Sequence, residues 1–114
     1  MDLRTRVSHL EGHMATFVIL GNWTEQGVKN FADAPARAKA NQAATEAMGG
    51  RIVGTYWTLG SYDFVSIVEA PDDATLTAGL LVLGAAGNAR TVTMRAFGIS
   101  EMEKIIATAK AAGG

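Results

Sequence analysis

The sequence predicts an α+β sandwich, a four-stranded antiparallel sheet with helices on one face. Three observations predict it. Short β-branched runs alternate with stretches of helical spacing in the order β-α-β-β-α-β-α. The second and third strands follow each other across a glycine turn, which makes that pair antiparallel. A chain of 114 residues supports one hydrophobic core, so all the elements share it. This order is the split β-α-β arrangement of ferredoxin-like sandwiches, βαββαβ with one more helix at the end.

Each element has a local cause. Thr16–Asn22, TFVILGN, is short, apolar and β-branched, as a buried strand should be. Thr24 caps the next helix, and Glu25 lies in its first turn, where the helix dipole favours an anion. Val28, Phe31 and Ala32 keep helical spacing until Pro35, which lacks an N–H and predicts a kink or break near Asp33-Ala34. A second piece, ARAKANQAATEAM, runs to Gly49-Gly50, where glycine supplies a left-handed stop. Arg51–Leu59 and Tyr62–Glu69 are the next strands, and Gly60-Ser61 between them suits a two-residue type II′ hairpin. Pro71-Asp72-Asp73 opens a helix through Leu76, Leu80, Leu81 and Leu83 that stops at Gly84 or Gly87. Gly87-Asn88 is read as a turn into the fourth strand, Arg90–Ile99, because the glycines lack the Lys-Ser/Thr of a phosphate loop. Ser100 and Glu103 form an S-x-x-E capping box for a last helix, where Met102, Ile105, Ile106 and Ala109 make one apolar stripe.

Composition narrows the function. A net charge of −1 with 18% charged residues gives no basic stripe for nucleic acid. Cysteine is absent, which removes disulfides, thiolate nucleophiles, Fe–S clusters and cysteine-based zinc sites, and fits a cytoplasmic location. No apolar run approaches the ~20 residues that cross a bilayer, so no membrane partner is expected. Asp72 and Asp73 read as helix caps, and neither a metal nor a cofactor is expected. Residues 1–13, MDLRTRVSHLEGH, are polar and aperiodic and end at a His-Met pair typical of a cloning junction. They read as a leader or cloning-derived arm, with 14–114 as the single domain. Both histidines, His9 and His13, fall in that arm, which leaves the domain without one for acid–base work.

Strand periodicity carries the strongest inference. Phe17, Ile19 and Gly21 line one side of the first strand, and Val18 and Leu20 the other. In the third, Tyr62, Phe64 and Val68 oppose Val65 and Ile67; in the fourth, Val92, Met94 and Ala96 oppose Phe97 and Ile99. An antiparallel sheet with one wet face alternates apolar and polar residues, and this one does not. Leaving ~500 Å² of apolar surface in water would forgo roughly 12 kcal/mol at about 25 cal/mol per Å². A twin subunit is the simplest cover, with the last helix as a partial one. AGLLVLGAA, apolar nearly all round, points to a further contact beyond a dimer.

Candidate site residues gather around the hairpin. Tyr56, Trp57, Tyr62 and Asp63 form either an aromatic pocket wall with one carboxylate, or sheet packing with Asp63 bonded to backbone near the turn. Arg37 is a candidate anion binder or a partner for Asp63, against the simpler reading of a solvated helix charge. Arg95 shares a side with Phe97, so it needs a rim position or a partner across an interface.

Five blocks in order, WTEQGVKNF, the P-A-R at Pro35–Arg37, Gly49-Gly50, YWTLGSYDFVSIVEAPDD and GNARTVTMRAF, together resemble the GYD-domain proteins, small prokaryotic proteins named for a Gly-Tyr-Asp motif. Here Ser61 separates Gly60 from Tyr62-Asp63. The resemblance spans about Ala15 to Phe97 and implies a ferredoxin-like domain of the dimeric α/β-barrel type, in which two sheets pack face to face. It carries no reaction with it. Arg37, Tyr62 and Asp63 fall on its motif positions. The expected function is a homo-oligomeric module that binds a small molecule or serves assembly or regulation. The alternative is a cofactor-free monooxygenase or isomerase using Asp63 and a tyrosine, by analogy of fold alone.

Overall fold

The structure, a computed structural model, describes residues 14–113. The expected arm at 1–13, with both histidines, lies outside the described residues. β1 (Ala15–Trp23) leads through α1 (Glu25–Lys29), a 3-10 turn (Phe31–Asp33) and α2 (Ala34–Ala47) to β2 (Arg51–Trp57) and β3 (Phe64–Ala70). Then come α3 (Asp73–Ala85), β4 (Ala89–Ala96) and α4 (Ile99–Gly113). The strands lie in the order β2-β3-β1-β4, and each is antiparallel to its neighbours. β1 and β2 therefore run parallel with β3 between them, and β3 and β4 with β1 between them. The result is two interlocked split β-α-β units, the expected α+β, ferredoxin-like arrangement.

The break before Pro35 falls where expected: proline occupies the first turn of α2, where its missing N–H has no ladder partner to lose. Thr24 caps α1 by accepting from Gly27 N at 3.1 Å, and its hydroxyl donates to Gly87 O at 2.6 Å. A Cβ on Gly27 would lie 2.0 Å from Asn88 O, so only glycine lets α1 rest on this turn. Gly87 itself adopts φ +82 at the turn into β4. Distant motifs, WTEQG and GAAGN, are thus two sides of one contact.

Three expectations are corrected. The hairpin between β2 and β3 is not a two-residue turn at Gly60-Ser61: the strands stop at Trp57 and restart at Phe64. Tyr62 therefore lies in the loop and not in the third strand; Gly60 does take a positive φ of 103. β4 ends at Ala96, so Phe97 and Ile99 are not strand residues. The last helix starts at Ile99, and its first turn is closed by Gly98 N donating to Glu101 Oε1 at 3.4 Å, not by a Ser100–Glu103 box. Gly98 ends the strand, and the chain turns helical before Ser100 is reached.

Phe17, Ile19, Val68, Ala70 and Leu76 form the core between the central strands and α3. No large side chain among the described residues is fully buried. On the opposite face the register sets Tyr56, Val65, Leu20 and Val92 in one row, and Gly54, Ile67, Val18 and Met94 in the next. The Arg51–Glu69 ion pair, at 2.6 Å, closes one end. Helices α2 and α3 pack on the other face, and α4 buries none of its residues. Among the described residues this second face stays uncovered.

Candidate functional site

Small side chains make the site. Along α2, Ala34, Ala38, Asn41 and Thr45 recur at helical spacing and face the sheet. Along α3, Leu76, Leu80 and Leu83 face the same way, with Gly79 among them. Alanine and glycine cannot fill the space between helix and strand, and a cleft of about 380 Å³ remains between the two helices and the sheet. Thr55 and Ser66 sit side by side among its lining residues, their hydroxyls 3.0 Å apart. Trp23 and Trp57 also line it.

Arg37 borders the cleft as its only charged residue among the described ones. Its Nη1 donates to Asn30 O at 2.9 Å and its Nη2, more weakly, to Gly27 O at 3.5 Å. The guanidinium thus sits at the carbonyl end of α1, where the helix dipole favours a cation. It is not paired with Asp63.

Asp63 is held by backbone instead. Its N–H donates to Gly21 O at 2.8 Å, its carbonyl accepts from Thr58 N at 2.9 Å, and its carboxylate Oδ2 accepts from Trp23 N at 2.8 Å. The side chain stands in for a strand carbonyl just past Phe64, where the β1–β3 ladder ends. Tyr62 lies on the same loop, its carbonyl accepting from Thr58 Oγ1 at 2.6 Å. Tyr56 and Trp57, as strand neighbours, point to opposite faces. Tyr56 is 60% exposed on the open face with its ring against Gly54; Trp57 is 47% exposed on the cleft side.

The structure therefore brings Arg37 and Trp57 together at one cleft and sends Tyr56, Tyr62 and Asp63 elsewhere. Asn41, Gly79, Thr55, Ser66 and Trp23 were not singled out from the sequence. The run of alanines along one side of α2 was a usable signal for them, since a face of small residues opposite a sheet leaves room. Arg95 has a partner within its own chain and needs none across an interface: Nη2 meets Glu101 Oε2 at 3.2 Å, and the guanidinium lies 4.5 Å from the centre of the Phe97 ring.

Among the described residues no group of acidic or histidine side chains is placed to hold a metal ion, and no helix is long and apolar enough to cross a membrane. The family model described as GYD domain matches residues 17–106. A relative from Thermus thermophilus, named glutamine synthetase and cystathionine beta-lyase binding protein, is 37% identical over 90 residues, which cover 78% of this chain and 95% of the relative. No solved structure matches the chain.

Proposed function

Because the chain belongs to the GYD-domain family, we propose that it is a homo-oligomeric binding module of the cytoplasm that docks on an enzyme and assembles or regulates it. The observation that carries this reading is the uncovered sheet face, with Val18, Leu20, Val65, Ile67, Val92 and Met94 side by side. Exposed apolar rows of this extent mark protein contacts. Two copies pairing through that face form a closed two-fold dimer, since the same patch serves both. Leu81 on α3, 70% exposed and away from the cleft, then remains outside as an apolar contact for another protein.

The relative's name supports a protein partner and gives the first ones to try. Glutamine synthetase and cystathionine beta-lyase from the same host should each be passed over the immobilised chain and over its Leu81→Glu variant. Saturable binding of at least one enzyme by the wild type, weakened about tenfold or more by the variant, is the expected result. No binding of either enzyme, or binding indifferent to Leu81, contradicts the docking reading. The enzyme alternative has less support, because neither Asp63 nor a tyrosine borders the cleft and the Asp63 carboxylate is taken up by Trp23 N–H.

A further inference from the structure

We infer that the cleft between α2, α3 and the sheet is a binding site for a small carboxylic acid with an aromatic or branched apolar body, its carboxylate on Arg37. This goes beyond the protein-binding reading and does not rest on it. Size comes first: about 380 Å³ lies within the range of small-molecule sites. The lining is mainly alanine, leucine, isoleucine and the two tryptophans, which suits an apolar body.

Charge sets the other end. Arg37 is half-buried and has two backbone carbonyls as partners, but no carboxylate among the described residues. A guanidinium has five N–H donors in a planar fork matched to a carboxylate, so donors remain beyond the two in use. No acid lines the cleft to compete for them. The Thr55–Ser66 hydroxyl pair adds a second polar point, since one hydroxyl hydrogen serves their mutual bond and the other stays available. A carboxylate on the arginine and a hydroxyl or keto oxygen toward this pair would fix the ligand's orientation.

Gly79 offers a clean way to close the space. It shares a helix face with Leu76, Leu80 and Leu83, and a Cβ there meets no atom within 4 Å. Leucine at this position enters the cleft and also favours the helix over glycine.

The test uses 2-naphthoate and its uncharged isostere 2-naphthamide as probes. Each is titrated by two-dimensional amide NMR into the wild type, Gly79→Leu, Arg37→Gln and Asn41→Asp. Asn41 lies one turn beyond Arg37, so aspartate there pairs with the guanidinium within the helix and guards against a folding defect in Arg37→Gln. The expected result is saturable naphthoate binding, with shifts in α2, α3 and the Trp57 indole. Gly79→Leu should abolish it while raising Tm. Both charge variants should weaken naphthoate about tenfold or more and leave naphthamide nearly unchanged. Failure of naphthoate to saturate, full binding to Gly79→Leu, equal loss of both probes in both charge variants, or shifts confined to Val18, Ile67 and Met94 would each overturn the site. Failure of the docking reading leaves it standing, because the sheet face and Leu81 take no part in these titrations.

Discussion

Asp63 shows how a residue with the look of a catalyst can be structural. Its carboxylate takes the Trp23 N–H at 2.8 Å while its own backbone N–H and carbonyl bond Gly21 and Thr58. Three segments meet on one residue, and a part-buried donor depends on its side chain. Asp63→Ala should therefore destabilise the fold in urea by about 1 kcal/mol, the low end of the cost of an N–H left without an acceptor, because the Trp23 donor is only part-buried. Asp63→Asn, which keeps an oxygen, should lose less. An unchanged midpoint for Asp63→Ala would contradict this structural role. The sequence offered this role as one of two, since aspartate beside a turn commonly bonds backbone. It could not say which backbone group, because Trp23 lies 40 residues away. The same limit hid Gly27, whose need for glycine comes from Asn88 across the fold.

At the level of elements, local chemistry was the readable part. Thr24 and Asp72 cap α1 and α3 as their types suggest, and Pro35 starts a helix where it had to. The Asp72 carboxyl is held below its ordinary 3.8, chiefly by the Thr75 backbone N–H that it accepts at 2.7 Å. A carboxyl lowered in the folded state adds stability above its unfolded pKa and loses it as the pH falls through the folded value. Asp72→Asn keeps the cap without the charge. Its Tm should trail the wild type at neutral pH, and the gap should close as acid takes the pH below about 3.8. A gap independent of pH would remove the charge from the account. Elements went wrong where two local signals competed. Ser100 and Glu103 match a capping box, yet Gly98 and Glu101 make the bond, because the salt bridge with Arg95 holds Glu101 over the first turn. At the hairpin the glycine's positive φ was legible but the loop length was not, since Asp63 is drawn off β3 to bond β1.

The whole molecule is a thin layer with two apolar sides. One side is roofed by α2 and α3, loosely enough to leave the cleft, and the other has no roof among the described residues. Alternation along β1, β3 and β4 made this legible from sequence, because the strand period decides the side of every residue once the strands are placed. The cleft was not legible, since it depends on how far two helices stand from a sheet. Pairing through the open face would bury Val18, Leu20, Val65, Ile67, Val92 and Met94 against their own copies and enlarge a core that is otherwise limited to Phe17, Ile19, Val68, Ala70 and Leu76. Ile67 lies at the middle of that face, between Gly54 and Val18. Sedimentation velocity across a wide concentration range, on the wild type and on Ile67→Glu, tests this directly. The expected result is a dimer or larger assembly for the wild type that persists on dilution into the micromolar range, and a shift of Ile67→Glu toward the single chain. A wild type that sediments as one folded chain at the highest concentration would contradict it.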